Sequence, residues 1–65
     1  MHIEMYTLKE LRARKNETQA QAAKALGISV QTYCAWEKDI SNVAVSKVNA
    51  VAKHFGVGLS QIFFK

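Results

Sequence analysis

Val30, Gln31, Ala35 and Lys38 recur at the spacing of one helical face within GISVQTYCAWEKD, residues 27–39, with Cys34 beside them. A glutamine carboxamide donates and accepts hydrogen bonds at once, valine and alanine offer only apolar contact, and lysine adds a point charge. That is the chemistry of contact rather than of bond making. The chain carries no serine–histidine–aspartate set, no paired carboxylates and no ligand cluster, so an enzyme is not expected. His2, His54 and the single Cys34 are a poor kit for a metal, and neither a metal nor any other cofactor is expected. Cys34 has no neighbour in sequence that would activate its thiol and reads as a bystander. The "GVG" at 56–58 lacks phosphate-loop spacing and reads as helix punctuation.

Nine Lys+Arg against five Asp+Glu give a net charge of +4 in only 65 residues. That balance favours a polyanion as partner, most often nucleic acid. A hydrophobic content of 49% fits one globular domain over residues 1–65, with 1–6 as a flexible or extended N-terminal arm. One cysteine excludes an internal disulfide, so packing alone must hold the fold. No apolar run approaches the ~20 residues of a membrane span, and MHIEMYTLKE lacks the pattern of a signal peptide. The expectation is a cytoplasmic protein with no membrane partner and no small-molecule substrate.

The elements that position the face are punctuated by caps. Thr7 and Glu10 form a Thr-x-x-Glu capping box, with Tyr6 able to staple onto Leu11; they predict a helix from Leu8 to Lys15, ended by Asn16. Thr18 and Gln21 repeat the box for a second helix to Leu26, with Gly27 just past its end. Ser29 caps a third, from Val30 to Lys38. Val45, Val48, Val51, Ala52 and Phe55 mark a fourth, closed by Gly56, and Leu59, Ile62 and Phe63 predict a short fifth with Ile62 and Phe63 inward. His54 sits late in the fourth, where a cation suits the helix dipole.

Two helices joined by a turn of a few residues containing glycine form a helix-turn-helix, here helices 2 and 3. The turn makes the second helix stand out, so that its first turn can enter a major groove about 12 Å wide. Ala22, Ala23 and Ala25 would admit helix 3 closely, and Ile28, Tyr33 and Trp36 would face inward. Basic residues Arg14, Lys15 and Lys24 read as a solvated face that adds diffuse attraction.

TQAQAAKALGISVQTYCAWEKD resembles the helix-turn-helix of the Cro and phage-repressor family (lambda repressor-like). Thr18-Gln19, Ala22-Ala23, Leu26-Gly27-Ile28-Ser29 and Trp36-Glu37 fall in register, flanked by LKELR and VAKHFGVGLSQIF. The resemblance implies an all-α, compact five-helix bundle that binds double-stranded DNA and regulates transcription. It implies that Gln19 touches a backbone phosphate, and that Ser29, Val30, Gln31 and Ala35, with Thr32 among them, line the reading face. Lys38 and the joint Ser41-Asn42-Val43 fall where the family grips the far phosphate strand, and Arg12 and Glu37 match a structural pair. Gln31 can pair bidentately with adenine, while Val30 and Ala35 suit only a thymine methyl, which predicts modest discrimination between sequences. Ala22 stands where leucine is usual, Tyr33 where an aliphatic residue is common, and the joint lacks the family's proline. Phe64, with Val57 nearby, would be exposed, and the family's last helix commonly forms a two-fold homodimer contact. A second reading turns the apolar patch of Val30, Cys34 and Ala35 towards protein, making the chain a modulator or antirepressor that binds a repressor partner.

Overall fold

The computed structural model describes residues 4–64. Four α-helices follow in order: α1 (Leu8–Arg14), α2 (Gln19–Leu26), α3 (Val30–Lys38) and α4 (Val45–Phe55). Both capping boxes close. Thr7 Oγ1 accepts from Glu10 N at 3.1 Å while Glu10 Oε1 accepts from Thr7 N at 2.8 Å, and Thr18 and Gln21 do the same for α2 at 3.1 and 2.8 Å. These reciprocal bonds satisfy amide donors that a helix start leaves without partners. Among the described residues no helix is long and apolar enough to cross a membrane.

Three helices end in one way. Asn16, Gly27 and Gly56 take the left-handed conformation at φ 58°, 71° and 71°. The next amide then reaches back five residues: Glu17 N to Arg12 O (3.1 Å), Ile28 N to Ala23 O (3.0 Å), Val57 N to Ala52 O (3.0 Å). Each reversal folds the following side chain back onto the helix just finished, so Ile28 and Val57 pack against the core. A Cβ placed on Gly27 would meet nothing within 4 Å, so alanine there faces only backbone strain. Gly27→Ala is expected to lower stability by about 1 kcal/mol in denaturant melts, the cost of a left-handed L-residue; a neutral result would mean that the turn relaxes.

The core gathers Leu8 and Leu11 from α1, Ala22 and Ala23 from α2, Tyr33 from α3, Val48, Val51 and Ala52 from α4, with Ile40 and Ile62 from the connections. The methyl side chains of Ala22 and Ala23 let α3 come in close, and the bulk of Tyr33, fully buried, fills the space. Trp36 and Ile28 pack half-buried against the same core. Ala25 is exposed and takes no part in that approach.

The fifth helix is absent among the described residues, and a single 3₁₀ turn, Leu59–Gln61, stands in its place. Beyond it the chain is extended and pairs with the N-terminal segment: Tyr6 N donates to Gln61 O at 2.7 Å and Phe63 N to Tyr6 O at 2.8 Å, a parallel bridge between Tyr6 and Ile62. Extended backbone sends successive side chains to opposite sides, whereas a helix turns them by only about 100°. Ile62 is therefore buried and Phe63 exposed, at 1% and 43%, correcting the inward placement of Phe63. Of the six residues expected as an arm, Tyr6 is held by this bridge, and residues 1–3 lie outside the described residues.

Candidate nucleic-acid interface

The outer face of α3 carries Val30, Gln31, Thr32, Ala35 and Lys38, all exposed, with Cys34 half-buried at its edge. Tyr33 and Trp36 anchor the opposite face, so the helix is fixed by its aromatic side and offers the other. Ser29 Oγ accepts from Thr32 N at 3.1 Å and donates to Thr32 Oγ1 at 2.9 Å, which caps the helix and settles both hydroxyls. Among the described residues the Gln31 carboxamide has no intramolecular partner, leaving its acceptor and both donor hydrogens to an external group.

Gln19, first in α2, points its side chain back to α3. Its Nε2 donates to Glu37 Oε1 at 3.0 Å, and its Oε1 accepts from Cys34 Sγ at 3.3 Å. One amide hydrogen remains for an outside acceptor. Glu37 is the hub of this arrangement, because its Oε2 accepts from Arg12 Nε at 2.7 Å. Burial pushes the Glu37 carboxyl up. The Arg12 and Gln19 hydrogen bonds, the nearby Tyr33 hydroxyl and the Arg12 charge more than offset that and hold it below the usual carboxylate range. The Glu37 hydrogen bond in turn raises Arg12 against a smaller opposing effect of burial.

Two links in this network escaped the sequence reading. The Cys34 thiol, expected to be a bystander, holds the amide of Gln19. His54 Nε2 lies 2.9 and 3.0 Å from the two carboxylate oxygens of Glu17, while Arg12 Nη1 donates to Glu17 O at 3.0 Å. Partners 37 residues apart leave no periodic mark in a sequence. The thiol had one available signal, since an i+3 step on α3 puts Cys34 and Glu37 on adjoining turns.

The Tyr33 hydroxyl is buried near Glu37 and Arg12 and completes no hydrogen bond. Burial, reinforced by the Glu37 carboxylate, pushes its pKa well above the usual phenol range. An unsatisfied buried hydroxyl carries a desolvation cost of roughly 1–3 kcal/mol. Tyr33→Phe is thus expected to be neutral or to stabilise by about 1 kcal/mol in urea melts; a loss of that size would show that the hydroxyl is bonded after all.

The joint after α3 is shaped by Asp39. Its Oδ1 accepts from Ser41 N at 2.9 Å and from Ser41 Oγ at 2.6 Å, so both donors of Ser41 are spent inside the turn. Val43 is half-buried and its N–H goes to Ile40 O at 3.1 Å. The groups the joint holds out are the exposed side chain of Asn42 and, one turn earlier, Lys38. Val57 is half-buried on the core, whereas the large apolar side chains left open, besides Val30 on α3, are Val45 at 69%, Met5 at 51%, Phe64 at 44%, Phe63 at 43% and Leu59 at 38%.

A helix-turn-helix family profile matches residues 8–62. The chain is 43% identical over 56 residues to an uncharacterized HTH-type transcriptional regulator of Methanocaldococcus jannaschii, covering 86% of this chain and 85% of that protein. No solved structure matches the chain significantly. With four capped helices, a glycine-centred turn between α2 and α3 and this match over most of its length, the chain belongs to the Cro and phage-repressor type of the helix-turn-helix family, whose members are DNA-binding regulators of transcription.

Proposed function

We propose that the chain is a small, sequence-specific regulator that seats α3 in the major groove of an operator and acts by occupying it, with no turnover. The observation that carries this reading is the unpaired carboxamide of Gln31 on an exposed face whose opposite side is anchored by Tyr33 and Trp36. Gln31 would take both hydrogen-bonding positions of an adenine edge, and Val30 and Ala35 would lie against thymine methyls. Ser29 and Thr32 border that face. Gln19, Lys38, Ser41 and Asn42 would meet phosphates on either side, Gln19 through its remaining amide hydrogen and Ser41 through its position rather than its spent donors. A two-fold homodimer built on the exposed Phe64, together with Val57, would set two copies of α3 about 34 Å apart and favour a palindromic site. The relative's name, a transcriptional regulator, agrees in kind.

Selection from random duplexes at moderate salt tests the reading, with a palindrome rich in A·T steps as the expected product. Val30, Cys34 and Ala35 also form an apolar centre on α3, the composition of a protein contact, and this supports a second reading in which the partner is a repressor protein. Absence of any enriched duplex, together with complex formation abolished by Val30→Ser or Ala35→Ser, would favour that second reading over the first.

A further inference from the structure

A cleft of about 420 Å³ lies between the C-terminal ends of α1 and α4, a size within the range of ligand sites. Phe55 and Val57 contribute apolar surface, with the core residue Leu11 behind them, and Arg14, Lys15 and Lys53 bring three positive charges with no carboxylate among the lining residues. Two of the cations are already placed. The Arg14 guanidinium lies 4.6 Å over the Tyr6 ring, and Lys15 Nζ donates to His54 O at 2.9 Å. Stacking leaves the guanidinium edge free, and the ammonium keeps two of its three hydrogens. Each is held by one contact before anything binds, which removes part of the entropic cost of holding a partner. The adjacent carboxylate of Glu17 is turned to His54 and does not line the cleft.

The cleft is not an extension of the reading face. At about 100° per residue, Arg14 sits roughly 200° around α1 from Arg12, whose side chain runs to Glu37 and the start of α2. The eleven residues of α4 also separate its C-terminal end from the joint at Ser41 and Asn42 by about 16 Å. The reading face itself contributes one cation, Lys38, whereas the cleft gathers three.

We propose that this cleft docks an acidic peptide segment of a partner protein, one that places an aliphatic or aromatic side chain on Phe55 and Val57 with carboxylates against Arg14, Lys15 and Lys53. Complementary charge and an apolar floor select that chemistry, and the position leaves α3 free to hold DNA at the same time. The test is a random dodecapeptide library displayed on phage and selected against the full chain, followed by titration of the best peptide into the isotope-labelled protein. Enrichment of peptides combining Asp or Glu with a large apolar residue is expected, with amide shifts centred on Lys15, Lys53, Phe55 and Val57. Lys53→Glu should weaken that peptide by about tenfold or more, as a like charge now faces its carboxylates. Arg14→Glu serves as the second variant, each being checked for an unchanged spectrum elsewhere. Selection of peptides without acidic residues, binding to both variants as tight as to the native chain, or a duplex that shifts the cleft resonances before those of α3 would each overturn the proposal, the last by showing a DNA surface.

Discussion

Glu37→Ala is expected to lower the unfolding free energy by about 2–3 kcal/mol, because it strands a mostly buried guanidinium. The Glu37 and Arg12 side chains are only 8% and 18% exposed, and both carboxylate oxygens of Glu37 are in use, one by Arg12 and one by Gln19. Removing one partner of a buried pair typically costs about 3–5 kcal/mol. Arg12 keeps its bond to Glu17 O and reaches water in part, which moves the expectation to or just below the bottom of that range. In a domain this small, such a loss corresponds to a fall of roughly 10–20 °C in Tm, read by circular dichroism. Acid should reveal the same group. The folded carboxyl of Glu37 titrates below its ordinary value of about 4.3, so its contribution is present above that pH and disappears as the pH falls through the folded value. The native chain should therefore lose stability on acidification below about pH 4.3 more steeply than the Glu37→Ala variant. Two melting curves that descend in parallel, or a Tm within about 3 °C of the native one, would mean that Arg12 and Glu37 contribute little as a pair.

The parts of the fold that were legible in the sequence are those written in local chemistry. Thr7 with Glu10, Thr18 with Gln21, and Ser29 mark helix starts through side chains that reach only three residues along the chain, and Gly27 and Gly56 mark ends through their own backbone freedom. The 3.6-residue spacing in Val45–Phe55 was equally plain, even though Ala44 caps that helix without a side-chain bond. The end of the chain was misread because Ile62 and Phe63 suit a helix and a strand equally well. Their conformation is decided by Tyr6, 56 residues earlier, whose backbone takes both neighbouring hydrogen bonds. The site divides along the same line. The outward set of α3 followed from periodicity, whereas the commitment of Gln19 to Glu37 and Cys34 depends on how α2 and α3 cross, and the cleft between α1 and α4 depends on two C-terminal ends meeting in space.

Gln31→Ala and Lys38→Ala should separate reading from gripping. Gln31 is the one long hydrogen-bonding side chain at the centre of the α3 face, and its carboxamide is not held by the protein. If it spans an adenine edge, its removal abolishes preference at that single position and costs about 1–3 kcal/mol against the selected site, roughly 5- to 150-fold in affinity. Sites already altered at that base pair should bind native and variant chains alike. Lys38 is an exposed ammonium near the joint, where a phosphate would be met without regard to sequence. Its removal should weaken every duplex by a similar factor and reduce the slope of log K against log salt by about one. Val30 and Ala35 can add only apolar contact, so base discrimination should rest on Gln31 more than in a face carrying several amides. Quantitative duplex titrations at three salt concentrations distinguish the cases. A Gln31→Ala chain that loses affinity equally for all sequences, with an unchanged preference at every position, would show that α3 meets DNA through shape and charge alone.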